Sequence, residues 1–153
     1  MRDDDIPPLR RPEDTPPVRS QADLWRYWRT LMGPLGFSER LLWLRFLEPD
    51  GRVTPSLTQI TELPRVPDAR LVDNLMMLCH RVCRDNLEGG SVAVLLSRPG
   101  PAGITADERV WAQRLTDAAV LAEVPLWPVH VANDQVLVVI PPDDLVALRA
   151  AAG

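Results

Sequence analysis

The residues best placed to do chemistry lie between Gly90 and Val131. Ser91 to Ser97 reads as a buried strand, and Arg98-Pro-Gly-Pro-Ala-Gly-Ile104 reads as a loop. Thr105 opens a helix, and Leu126 to Val131 is a further apolar strand. A strand tip that meets a helix N-terminus brings side chains and free backbone N–H groups together, a common way to assemble a site. Leu96, Ser97 and Arg98 form this tip, and Thr105 and Glu108 stand at the start of the helix in the spacing of a capping box. The tip itself has no His, Cys or carboxylate with which to hold a metal ion.

Other reactive side chains are few. Cys79, His80 and Cys83 share one helical segment, but they lack paired zinc spacings and a fourth ligand, and a disulfide within one helix is geometrically poor. Reduced, buried core cysteines are the expectation. His80 borders an apolar helical stripe. His130 alternates with Val129 and Val131, so it points away from them. Cys79 and Cys83 lie on a different element from His130, and nothing in the sequence brings them together with an orienting acid, so a Ser-His or Cys-His hydrolase is not expected. All 17 basic residues are arginine, which excludes Schiff-base, P-loop and general-base lysine chemistry.

Several elements position these groups. Leu24, Trp25, Tyr27, Trp28, Leu31 and Met32 suit a short amphipathic helix from Gln21, with Ser20 or Asp23 at its start, stopped by Gly33-Pro34 and Gly36. Leu41 to Glu48 is an apolar strand, Pro49-Asp50-Gly51 a turn, and Arg52 to Leu63 a second strand that Pro55 assigns to a sheet edge. Asp68 to Leu87 is a helix with Leu71, Leu75, Leu78 and Val82 on its stripe, widened by Val72, Met76, Cys79 and Cys83. The helix from Thr105 runs to Val124, with Trp111, Leu115, Ala118 and Ala122 as its apolar face. Leu126 to Val131 and Gln135 to Ile140 form a hairpin through Ala132-Asn133-Asp134, and a short helix, Asp143 to Ala152, follows. The order α-β-β-α-β-α-β-β-α defines an α/β class: a single mixed-sheet domain, residues 21–153, with helices packed on the sheet. Residues 1–20, rich in Pro, Arg and Asp without periodicity, are expected to form a disordered tail.

The composition of the 153 residues, 46% hydrophobic and 25% charged, is that of a globular domain. A net charge of −4 gives no global attraction for nucleic acid. No run reaches the roughly 18 apolar residues of a membrane span. Met-Arg-Asp-Asp-Asp-Ile is unlike a secretory signal, so a cytoplasmic location is expected.

Three segments carry a likeness to a known family. They are Leu24 to Val53, Ala69 to Gly100 and Ile104 to Asp134, together nearly all of the periodic sequence. Their order and local pattern resemble the RadC-like branch of the JAB metallopeptidase superfamily, which implies a cytidine-deaminase-like layering. Catalytic members of that superfamily carry His-x-His at the strand end, usually before a proline, then Ser-x-x-Asp, with an upstream Glu as general base. Alternate strand residues share a face, so two imidazoles and the aspartate meet at one zinc ion. With Pro99 aligned on the family proline, Leu96 and Arg98 take the histidine places. Thr105 takes the serine place after a spacer one residue short, and Glu108 takes the aspartate place. A shift by one gives Ala106 and Arg109. The upstream glutamate falls among Gln59, Thr61 and Glu62.

Leucine cannot ligate a metal and arginine repels one. The resemblance therefore implies a pseudoenzyme without metal, cofactor or peptidase activity, serving as an interaction or scaffold domain. Trp25, Tyr27 and Trp28 are its candidate contact surface, for a protein partner or self-association. Two alternatives stand beside it. One is a small anionic-ligand sensor built from Ser97, Arg98, Thr105 and Glu108, with Gly100 and Gly103 leaving the backbone open. Arg98 would otherwise pair with Glu108, Asp107 or Glu62. The other is an accessory role in DNA repair without direct nucleic-acid contact, because no helix-hairpin-helix signature is present.

Overall fold

Two apolar strands, paired along their whole length, organise the chain. β1 (Leu41–Leu47) runs antiparallel to β3 (Ser91–Ser97), from Leu41 opposite Ser97 to Leu47 opposite Ser91. β2 (Val53–Ile60) folds back on the outer edge of β1. β4 (His130–Ala132) joins β3 in parallel, and β5 (Leu137–Val139) closes the other edge antiparallel. The sheet order is β2-β1-β3-β4-β5, so β3 lies at its centre. Among the described residues three helices complete a single α/β domain: α1 (Gln21–Met32), α2 (Ala69–Asn86) and α3 (Ala106–Leu121). The structure is a computed structural model and describes residues 14–101 and 103–141. The helix expected over Asp143 to Ala152 and most of the expected tail lie outside the described residues.

Strand alternation divides the core in two. Leu42, Leu44, Phe46, Val92, Val94, Leu96 and Val131 face α2 and α3, where they meet Val72, Leu75, Met76, Cys79, Trp111, Ala112 and Leu115. Leu47, Ala93, Leu95, Ala132 and Leu137 face the opposite way, toward Leu24 and Trp28 of α1. Helices thus cover both faces of the mixed sheet. Pro55 lies on the edge strand, as its missing N–H requires, and within a register shift between Arg45 and Leu47.

Four features depart from the sequence reading. Leu78 of α2 is 49% exposed rather than part of the buried stripe, because the helix is turned to bury Val72, Leu75, Met76 and Cys79. The strand expected from Leu126 is broken into a single bridge, Leu126 to Val92, and the ladder starting at His130. Pro128 lies between them and has no N–H to donate. The ladder of β5 begins only at Leu137, because Asn133 Oδ1 accepts the N–H groups of Gln135 (2.9 Å) and Val136 (3.0 Å) in a turn. Val18, assigned by composition to the tail, is buried, and its N–H donates to Gly51 O at 2.7 Å. Gly51 has φ +92°, and a Cβ there would collide with the Val18 carbonyl, so the turn requires glycine.

Candidate functional site

The tip of β3 and the first turn of α3 meet as the spacing predicts. Thr105 caps α3: its Oγ1 accepts from Glu108 N at 3.1 Å, and Glu108 Oε1 accepts from Thr105 N at 2.8 Å. This reciprocal pairing turns the Glu108 side chain back over the helix N-terminus, toward the strand. Its second oxygen, Oε2, accepts from Arg98 Nε at 2.9 Å, with the two side chains 9% and 6% exposed. The rest of the guanidinium is also engaged. Nη1 donates to Pro99 O at 3.1 Å, and Nη2 donates to Pro101 O at 3.3 Å and Gly103 O at 2.9 Å. A buried, charge-assisted ion pair, with three carbonyls around the cation, occupies the junction.

The proline-glycine loop is clamped from outside. Asp134 accepts from Gly100 N at 2.8 Å and Phe37 N at 3.1 Å, and these backbone donors hold its carboxyl below the usual range. Asp134 N donates back to Gly100 O at 3.1 Å. The loop that receives Arg98 is thereby tied to the β4–β5 turn.

Leu96 and Arg98 line one small recess together, as residues two apart on a strand should. Its other walls are Glu108 and Trp111 of α3 with Arg40, Leu63, Pro64, Arg65 and Asp107. Its free volume of about 20 Å³ is room for one water molecule. The β2–α2 connection covers one side of it: Trp111 Nε1 donates to Pro64 O and Arg65 O, both at 3.1 Å, and Leu63 is buried. Asp107, the second acid near the tip, contacts Arg65 at 3.8 Å near the surface. The positions considered for an upstream general base, Gln59, Thr61 and Glu62, are exposed and do not line the recess.

Ser97 also lines the recess, while its Oγ accepts from Trp43 Nε1 at 2.8 Å on the α1 side of the sheet. The expected aromatic contact surface also needs correction. Trp28 is fully buried against the sheet, Trp25 and Tyr27 are half-buried, and Trp25 Nε1 donates to Leu137 O at 2.8 Å. An amphipathic helix with this much aromatic surface packs on its own domain. Among the described residues the exposed large apolar side chains lie instead on or beside α2 and α3: Val66, Met77, Leu78, Val110, Val120 and Leu121.

The remaining titratable candidates are dispersed. Cys79 and Cys83 are free thiols, and burial pushes Cys79 up to about 12, a nearby Cys83 adding to the effect. His130 is fully buried with Nδ1 3.2 Å from Pro128 O, and burial holds its imidazole down to about 4. It lies beside Leu95 on the α1 face, across the sheet from Arg98. Among the described residues no three His, Cys, Asp or Glu side chains converge as metal ligands. No described helix is long and apolar enough to cross a membrane.

The sequence pattern identified the ends of this site but missed its lid. Leu63, Pro64, Arg65 and Arg40 come from connections without periodicity, and nothing local marks them as neighbours of Trp111. No protein-family model matches the chain, and no curated protein matches it.

Proposed function

We propose that this chain is a non-catalytic interaction domain with JAB/RadC-like layering, a pseudoenzyme in which an ion pair replaces a metal centre. The observation that carries this reading is the Arg98–Glu108 pair. It joins the β3 position and the α3 position that the resemblance assigns to metal ligands. A guanidinium already held by one carboxylate and three carbonyls has no lone pair for a cation, and it blocks the ground on which one would sit. Helices on both faces of the five-stranded sheet support the same layering. The net charge of −4 favours a protein partner or a second copy over nucleic acid.

In this reading the contact surface is the outer side of α2 and α3, where Met77, Leu78, Val120 and Leu121 are exposed. The anion-sensor alternative draws no support, because Arg98 is fully engaged and the recess has space for little more than a water molecule.

The test is elemental analysis of the full chain after equilibration with excess zinc and removal of free ion. Zinc far below one per chain is expected. Stoichiometric zinc that disappears in Glu108→Gln would overturn the reading. Capture of a partner, or concentration-dependent self-association in sedimentation, should weaken in a Leu78→Glu, Leu121→Glu variant. Retention of full binding by that variant would reject the assigned surface.

A further inference from the structure

Among the described residues the five strands contain one charged side chain, Arg45, and no carboxylate. Arg45 alternates with Leu44 and Phe46 and so faces α1, at 6% exposure. Its guanidinium carbon lies 5.8 Å from the centre of the Tyr27 ring. Among the described residues it has no hydrogen bond and no ion pair, and its Nε is enclosed without an acceptor. The ring of Trp28 lies 5.3 Å from that of Tyr27, and Trp28 Nε1 is likewise enclosed without an acceptor. The single acid of α1, Asp23, is engaged at the helix start, where it accepts from Arg19 N at 3.0 Å.

Two buried donors therefore lie against one tyrosine, and neither has an acceptor. Buried donors in folded proteins are nearly always paired, and an aromatic ring offsets only part of the hydration that a guanidinium loses when its Nε is enclosed. Arginine beside an aromatic ring suits planar or tetrahedral oxyanions, which accept from several N–H groups at once. We propose that the Tyr27–Trp28–Arg45 corner is a binding site for an oxyanion, a carboxylate or phosphate group. Arg45 and the indole N–H of Trp28 donate to it, and Tyr27 forms the wall between them. The site is separate from the Arg98 recess, since it lies on the other face of the sheet, and does not depend on the proposed interaction role.

The experiment is thermal unfolding of the full chain at constant ionic strength. Inorganic phosphate, sulfate or acetate is exchanged for chloride, and tryptophan fluorescence is titrated in parallel. A saturable rise in Tm and a saturable fluorescence change are expected. Phosphate and acetate identify which oxyanion is preferred. In Arg45→Gln the apparent Kd should weaken about tenfold or more, the loss of a charged donor, while Arg65→Gln, at the recess, should leave it unchanged. A rise that grows without saturation and is equal in Arg45→Gln would reflect general exclusion of the salts and overturn the proposal. A saturable effect lost in Arg65→Gln and kept in Arg45→Gln would also overturn it. If Arg45→Gln does not fold, Trp28→Phe and Tyr27→Leu take its place, and an unchanged Kd in both refutes the site.

Discussion

Replacing Glu108 by Gln is the sharpest probe of the β3–α3 junction, because it separates the Arg98 contact from capping. Glutamine still offers an oxygen to Thr105 N, so the capping box survives. What is lost is the anionic acceptor facing Arg98 Nε at 2.9 Å, where the glutamine NH2 then stands, with both side chains nearly enclosed. Breaking a buried pair on one side typically costs about 3–5 kcal/mol. The carbonyls of Pro99, Pro101 and Gly103 continue to accept from the guanidinium, which places the expected cost at the lower end, about 3 kcal/mol. Arg98→Met removes the cation and leaves Glu108 with Thr105 N and Thr105 Oγ1 as donors, at 2.8 and 3.2 Å, so its cost should be about 2 kcal/mol.

The double variant decides the matter. Once Arg98 is gone, no buried charge waits for Glu108, and Glu108→Gln should then cost about 1 kcal/mol or less. The coupling in the cycle is therefore about 2 kcal/mol. Urea unfolding of the four proteins at pH 7 measures it, provided the m-values agree. A domain with about 5–15 kcal/mol of stability remains folded through each step. Single costs that add to within about 0.5 kcal/mol would refute the reasoning, since the pair would then be a screened surface contact.

Two further outcomes follow from buried groups elsewhere. His130 titrates at about 4 when folded and near 6.5 when unfolded, so the unfolded chain takes the proton first and stability falls as pH drops below about 6.5, levelling near 4. Between pH 7 and 5 this group should remove about 2 kcal/mol, read from urea midpoints, and a slope that persists in His130→Leu would assign the effect to other groups. Gly51→Ala forces a Cβ toward the Val18 carbonyl at φ +92° and should cost about 2 kcal/mol or more. Amide exchange at Val18, which donates to Gly51 O, should accelerate with it, and an unchanged rate would show that the turn adapts without releasing the chain.

Periodic elements were the most legible. α2, α3, β1 and β3 run within a residue or two of their expected limits, except that α3 stops at Leu121, and Thr105 and Glu108 cap α3 as their spacing implies. The rotation of α2 was not legible. Leu71, Val72, Leu75, Met76, Leu78, Cys79 and Val82 form a stripe wider than the buried face, and only packing against β1, β3 and α3 chooses Met76 over Leu78. The sequence could place Pro128 in a strand but could not say that its missing donor would interrupt the ladder rather than lie at the edge. The lid over the recess was invisible for a different reason. Trp111 finds its acceptors 46 and 47 residues away, on carbonyls that any residue type would supply.

Two of the three buried arginines among the described residues, Arg45 and Arg98, show where local sequence can and cannot find a partner. Three acids were candidates for Arg98, and chain geometry selects one. The third helical residue of a capped N-terminus curls back toward the cap, which delivers Glu108 to the strand tip, while Asp107 before it turns out to Arg65. Glu62, at φ +52°, is exposed and does not reach the recess. A short loop and a standard cap thus account for the choice of Glu108, which the sequence left open among three acids. Arg45 has no such local route. It is conspicuous in Leu-Leu-Trp-Leu-Arg-Phe-Leu as a charge inside an apolar strand, yet the four other strands have no acid to offer. Such an isolated charge must be met from outside the sheet, and among the described residues only a tyrosine ring meets it. The same residue type therefore has opposite implications on the two faces: on one it closes a site, and on the other it leaves one to be filled.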